Sequence, residues 1–250
     1  MKRFLIFWLH IALVCEAQSE PFTPEQSSPE EMAAKLGIRL PPRPWHMADV
    51  WYGFQQPTPN FEKLEVEVTI DRDVPDTYNL YVAPIGIARI NGIDFYGGLQ
   101  TNVNGWATKK SRTRVHPGMG AIFSRWAKDK KTPLSLDNVR TVKSGLCESA
   151  GYEGSFCSVR RPFKWGKGSY VYSIEKGKKE GEKTWFDCRV RVKETGKTID
   201  VGGLLFEGTT FSFWASHAAF VEIYATSKIP RSGIPKVKVT FGYPLINGIK

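Results

Sequence analysis

The side chains that could do chemistry in this chain are few and scattered. Cys188 and His217 could form a nucleophilic thiol with its base, since a nearby imidazole draws the proton off sulfur. A core thiol beside an unrelated imidazole explains the same two residues and is preferred. Glu148 and Glu153 could act as a carboxylate pair on a glycosidic bond if folding set them roughly 5–10 Å apart. Acids in a loop usually do no more than meet water. Asp71, Asp73 and Asp76 offer the hard oxygen ligands that calcium takes. An acidic hairpin turn is the commoner use of such a trio, so no cofactor is expected. The other histidines, His10, His46 and His116, stand far apart, and no G-x-S-x-G elbow, phosphate-binding glycine loop, H-E-x-x-H helix or zinc-type Cys/His spacing occurs. No catalytic residue and no metal ligand is assigned.

What the chain has instead is aromatic and polar side chains alternating along strand-like segments. Sugar sites use ring faces against C–H surfaces, with fixed amides, carboxylates or arginines for the hydroxyls. The candidates of this kind are Gln100, Asn102, Arg125, Trp126, Trp165, Tyr172 and Trp185. For any single tryptophan in a sandwich, a place in the core is the ordinary use.

Residues 145–174 carry the densest signal. Cys147 and Cys157 bracket a turn-prone loop with Ser149, Gly151, Gly154 and Ser155, and a basic, aromatic corner follows at Arg160, Arg161, Phe163, Lys164 and Trp165. In an oxidising compartment the two thiols would close a ring of about eleven residues, removing roughly 2.5–3 kcal/mol of unfolded-chain entropy. Cys188 alternates with Phe186, Val190 and Val192, so it reads as a buried, inert thiol. The expected disulfide is therefore Cys147–Cys157, stapling a loop on the rim of the domain. A second basic stretch, Lys109, Lys110, Arg112, Arg114 and His116, ends at Pro117-Gly118. It reads as a solvated loop, with docking of an acidic ligand as the rival use.

Strands must position these residues. Leu64, Val66, Val68 and Ile70 alternate with Glu65, Glu67 and Thr69, the mark of a half-buried strand. After the turn at residues 71–76, strands are expected at 77–83, 93–102 (behind the Asn91-Gly92 turn), 119–126, 169–175, 184–192, 197–206, 210–214, 220–226 and 236–241. On 93–102, Tyr96, Gly98, Gln100 and Asn102 share one face, and Phe95, Gly97, Leu99 and Thr101 the other. Residues 176–183 read as a charged hairpin loop. The expected architecture is all-β: a lectin-like (jelly-roll) β-sandwich over 61–250. Ahead of it, residues 18–60 hold eight of the sixteen prolines and form an extension. That extension carries one short helix, opened by Ser28-Pro29-Glu30-Glu31 and stopped at Gly37. Its Trp45, His46, Trp51, Tyr52 and Phe54 are expected to be buried along the domain.

Lys2 and Arg3, an apolar run at 4–14 and Cys15-Glu16-Ala17 read as a signal peptide over 1–17, which makes the chain secreted, extracellular or periplasmic. Cys15 raises a lipid anchor, but Val14 is larger than such processing prefers. The run is too short to span a bilayer, and no later stretch is a transmembrane segment. Removing Lys2, Arg3 and Glu16 takes the 35 bases to 33 and the 25 acids to 24, a net charge of +9. That excess serves solubility and favours acidic partners: an anionic polysaccharide or cell-surface glycan, and no specific nucleic acid.

Thr77-Tyr78-Asn79-Leu80-Tyr81, Phe95-Tyr96-Gly97-Gly98-Leu99-Gln100, Ala121-Ile122-Phe123-Ser124-Arg125-Trp126, the glycine loop from Glu148 to Glu153-Gly154, Phe163-Lys164-Trp165 and Thr184-Trp185 follow one another in order. In this order they resemble a family of secreted β-sandwich domains of unknown function, with its YFGIQ, LFSVW and GEGxG-loop pattern, over about residues 62–225. Gly98, Leu99 and the two cysteines around the loop depart from that pattern. The resemblance implies an exported, lectin-like sandwich associated with polysaccharide, and it carries over no catalytic residue. The expected function is glycan binding without chemistry. A polysaccharide-cleaving enzyme on the same scaffold and a structural or adhesion module are the alternatives.

Overall fold

A computed structural model of the chain describes residues 29–37, 47–75, 79–224 and 236–249. The signal-peptide reading, Cys15, His10, Trp45, His46 and Asp76 lie outside them. The chain divides into two units, 1–42 and 43–250. In the first, helix α1 (Pro29–Lys35) starts on a proline, whose fixed φ suits a first turn, and ends before Gly37 at φ 65°.

The second unit is built of antiparallel strands. In chain order they are β1 (Met47–Gly53), β2 (Lys63–Ile70), β3 (Leu80–Ile90), β4 (Ile93–Trp106), β5 (Arg114–Trp126), β6 (Val139–Thr141), β7 (Leu146–Ala150), β8 (Phe156–Pro162), β9 (Gly168–Glu180), β10 (Lys183–Val192), β11 (Thr198–Glu207), β12 (Ser216–Ile223), β13 (Val239–Phe241) and β14 (Leu245–Ile246). One sheet runs β1-β12-β3-β4-β5-β8-β7. The other runs β13-β2-β9-β10-β11-β6, with β14 also on β2. The two make a β-sandwich. On β2 the alternation works as expected: Leu64, Val66, Val68 and Ile70 are buried, and the residues between them half-buried. Asn91 and Gly92, at φ 49° and 79°, make the two-residue turn between Ile90 and Ile93, and positive φ at both positions matches the twist of the strands.

Between the sheets lies a cluster of rings. Phe206 meets Phe95 at 6.0 Å and Phe186 at 5.2 Å, Phe186 meets Phe211 at 4.9 Å, and Phe61 meets Phe213 at 5.1 Å. Each fully buried phenylalanine contributes about 2–3 kcal/mol relative to exposure. Residues 210–214 form no strand; isolated bridges from Phe213 to Thr58 and Ile90 are enough to drop Phe211 and Phe213 into the core.

Several boundaries differ from the sequence reading: β3 runs on to Ile90, β4 to Trp106, and β12 starts at Ser216. β5 begins at Arg114, so Arg114 and His116 are strand residues and the basic loop shrinks to 107–113. The charged hairpin at 176–183 is mostly strand, turning at Gly181-Glu182. The domain also starts earlier: β1 is an edge strand on β12, and its Trp51 is 56% exposed rather than buried.

The disulfide expectation is corrected as well. Cys147, Cys157 and Cys188 are all free thiols and all buried. β7 and β8 form a hairpin in which Cys147 faces Val159 and Cys157 faces Ser149. The two thiols are thus diagonal rather than opposite, and diagonal neighbours lie about 7–8 Å apart, beyond the reach of an unstrained S–S link. The loop is held by strand pairing and core packing instead of a staple.

Candidate functional site

The edge of the first sheet bends back on itself. β7 pairs with β8 and also with the far end of β4, Trp106 opposite Cys147. This return buries the sheet face that points away from the core. Across it, the register sets Tyr96, Ser124, Ser158 and Glu148 in one row, each opposite the next. Ile122 and Arg160 stand in the adjacent row.

Glu148 has no exposed surface, and Arg160, with 6% of its side chain exposed, bonds to its Oε2 at 2.5 Å. Arg114 bonds to Oε1 and to the Asn104 side chain. Arg160 also donates to the Asn104 carbonyl at 2.6 Å, and the Tyr152 hydroxyl lies 3.4 Å from Glu148 Oε2. Burial alone would raise the Glu148 pKa, but the charge of Arg160 and the hydrogen bonds from both arginines hold it below the usual carboxylate range. Glu153, although solvent-exposed, is displaced the other way, raised by partial desolvation even as Tyr96 donates to it at 3.0 Å. Burial also raises the Tyr96 phenol, which keeps it a proton donor. The Trp126 indole donates to the Glu153 carbonyl at 3.0 Å and packs on Tyr96 with ring centroids 4.9 Å apart. On the same sheet, the buried Tyr81 Oη and Ser158 Oγ have no hydrogen-bond partner among the described residues.

Glu148 is saturated with donors, so it cannot attack a substrate. Glu148 and Glu153 balance the two arginines, and the cation that faces outward is Arg114, whose side chain is 38% exposed. Beside it, the ring of Tyr152 is held edge-on by Phe156 at 5.0 Å and is itself 70% exposed. A planar cation fixed on two partners beside an open ring is suited to an acidic group on a flat or cyclic ligand.

The seven predicted binding residues do not converge. Gln100, Asn102 and Trp126 lie half-buried on the outer face of the first sheet, where Asn102 donates to Asn79 at 3.2 Å. Trp165 is buried, its indole donating to the Gln100 carbonyl at 3.0 Å. Trp165 lines a cleft of about 810 Å³, with Asp73, Pro75, Pro117, Met119 and Phe163. Arg125 and Tyr172 are fully buried between the sheets and cannot reach a ligand. Trp185 lies on the second sheet's outer face, under Arg140 at 4.8 Å. His217 and Cys188 are on different sheets, so they form no pair. Asp71 accepts from the Arg72 side chain and the Lys238 amide, and Asp73 from the Lys167 amide.

Sequence reading named Arg160, Glu148 and Arg114 but not their meeting, and it missed Tyr152 and Asn104. The period-two phase of Glu148 against core-facing Cys147 was the one local signal. Among the described residues no helix is long and apolar enough to cross a membrane. No protein-family model and no curated protein matches the chain.

Proposed function

We propose that this is a secreted, non-catalytic β-sandwich that binds an acidic glycan at the bent edge of the first sheet. The observation that carries the reading is the Arg114 guanidinium, clamped by Asn104 and Glu148 and half open beside the exposed Tyr152 ring. Two of its N–H groups are engaged by those partners, and a guanidinium has five. A carboxylate or sulfate on a sugar would take the outward side of that fork while Tyr152 stacks on the ring. The net charge of +10 and the leader-like N-terminus support the same reading.

Chromatography of the protein on immobilised polygalacturonate tests it. Retention at low salt that fades as salt rises is expected, with weaker retention for Arg114→Ala and Tyr152→Ala and none of that loss for Arg191→Ala on the other sheet. No retention at low salt, or equal retention of all three variants, refutes it. Product release from a panel of uronic-acid polymers would overturn the non-catalytic part of this reading.

A further inference from the structure

A sandwich has four sheet edges, and each unpaired edge is a template for another strand unless something blunts it. Three are blunted among the described residues. β7 closes back onto β4, and β13 and β6 are three residues long. β1 is different: seven residues, MADVWYG, in unbroken register on β12 from Met47 opposite Glu222 to Gly53 opposite Ser216. It holds no proline, lysine or arginine, the residues that ordinarily protect an edge. Val50 is 41% and Trp51 56% exposed, and because neighbours alternate, apolar surface is open on both faces of the strand.

The polarity of the backbone fixes which groups are available. Phe54 donates its amide to the Ala215 carbonyl at 2.8 Å, so alternation turns Ala48, Val50 and Tyr52 toward β12. Met47, Asp49, Trp51 and Gly53 then present their N–H and C=O groups to the open edge.

We propose that β1 takes a second copy of this chain, edge to edge and antiparallel, about a two-fold axis near Val50. Charge favours a copy. Neither β1 nor β12 carries any of the chain's 35 bases, so the surfaces that meet escape the repulsion of the whole. A two-fold at Val50 sets Asp49 against the partner's strand at Trp51, not against another acid. Shape favours a copy too. With Ala48, Val50 and Trp51 all exposed, no wall among the described residues flanks the strand to read the side chains of a foreign peptide, whereas an isologous edge needs none.

Sedimentation velocity on the full chain over a wide concentration range is the test, with amide exchange beside it. A monomer–dimer equilibrium is expected, weakened at least tenfold by Val50→Lys and unchanged by Thr198→Lys, an exposed site on the other sheet. In the wild type, the Asp49 and Trp51 amides should gain protection as concentration rises. A monomer at every concentration overturns the proposal, as does a dimer indifferent to Val50→Lys. If Val50→Lys does not fold, wild-type exchange decides: Asp49 and Trp51 amides that stay unprotected in the dimer, or are protected equally at all concentrations, also overturn it.

Discussion

The phenol of Tyr172 crosses the sandwich: from β9 in one sheet it donates to the Ile122 carbonyl of β5 in the other at 2.6 Å. Gly97 makes room for it. A Cβ there would lie on the Tyr172 hydroxyl and 2.9 Å from that carbonyl oxygen. Tyr172→Phe is expected to cost about 1 kcal/mol, the net worth of a buried hydrogen bond. Gly97→Ala should cost about 1–3 kcal/mol through overpacking. Because the two share one space, Gly97→Ala should cost less in the Tyr172→Phe background than alone. Urea midpoints at constant slope measure this cycle; strict additivity would show that the hydroxyl is not what the methyl strikes.

Arg125 makes a second tie between the sheets. Wholly buried, it bonds both Glu207 oxygens at 2.7 and 3.0 Å and lies 4.8 Å over Phe206. Removing one member strands the other. Glu207→Gln leaves a buried cation unpaired and is expected to cost about 2 kcal/mol, below the usual range because Glu207 is 48% exposed. Arg125→Met removes the charge with its desolvation penalty and should cost less. Thermal melts of the two variants check the order, and the reverse order would mean the ion pair stabilises beyond its packing.

These two residues also show where sequence reading stopped short. Arg125 shares its phase with Ala121 and Phe123, and Tyr172 with Tyr170 and Ile174, so the alternation already put both on the core side. Their polar tips argued for a binding role against that phase, and the phase was right. The strands β2 and β10 and the Asn91-Gly92 turn were legible because their signals are local. The buried row at Glu148 was not. It depends on Cys147 reaching Trp106, a non-local pairing that no local pattern records.

The register of the β7–β8 hairpin predicts thiol chemistry. Burial pushes the Cys157 thiol up to about 11 and raises Cys147 and Cys188 as well. A thiol held protonated and shielded is a poor nucleophile. None of the three should react with iodoacetamide in the native protein, and all three should react after denaturation, with or without reductant. Peptide mapping of the alkylated protein counts them. Loss of Cys147 and Cys157 labelling in the unreduced, denatured sample would mean a bond that this register disfavours.

His217 is the buried imidazole of β12, stacked on Tyr52 at 5.4 Å. Its Nε2 is 2.9 Å from the Pro84 carbonyl, which can only accept, so Nε2 carries the proton, while Nδ1 has no hydrogen-bond partner among the described residues. Burial lowers its pKa from 6.5 to about 4. The unfolded chain therefore binds a proton that the folded chain refuses, and stability falls as pH drops from about 6.5 to about 4, by at most about 1.4 kcal/mol per pH unit. Glu148, Glu207 and Asp94, whose pKa values are lowered, add their own losses only as their free carboxyls begin to protonate below about 4.5. Glu153, raised by partial desolvation, works in the opposite sense, since its folded form favours the proton. The difference between wild type and His217→Gln isolates the imidazole. Urea midpoints at pH 7.5, 6.0 and 5.0 should fall steadily for wild type and stay nearly level for His217→Gln. Parallel curves would mean that the His217 imidazole takes up its proton in the fold as readily as in the unfolded chain.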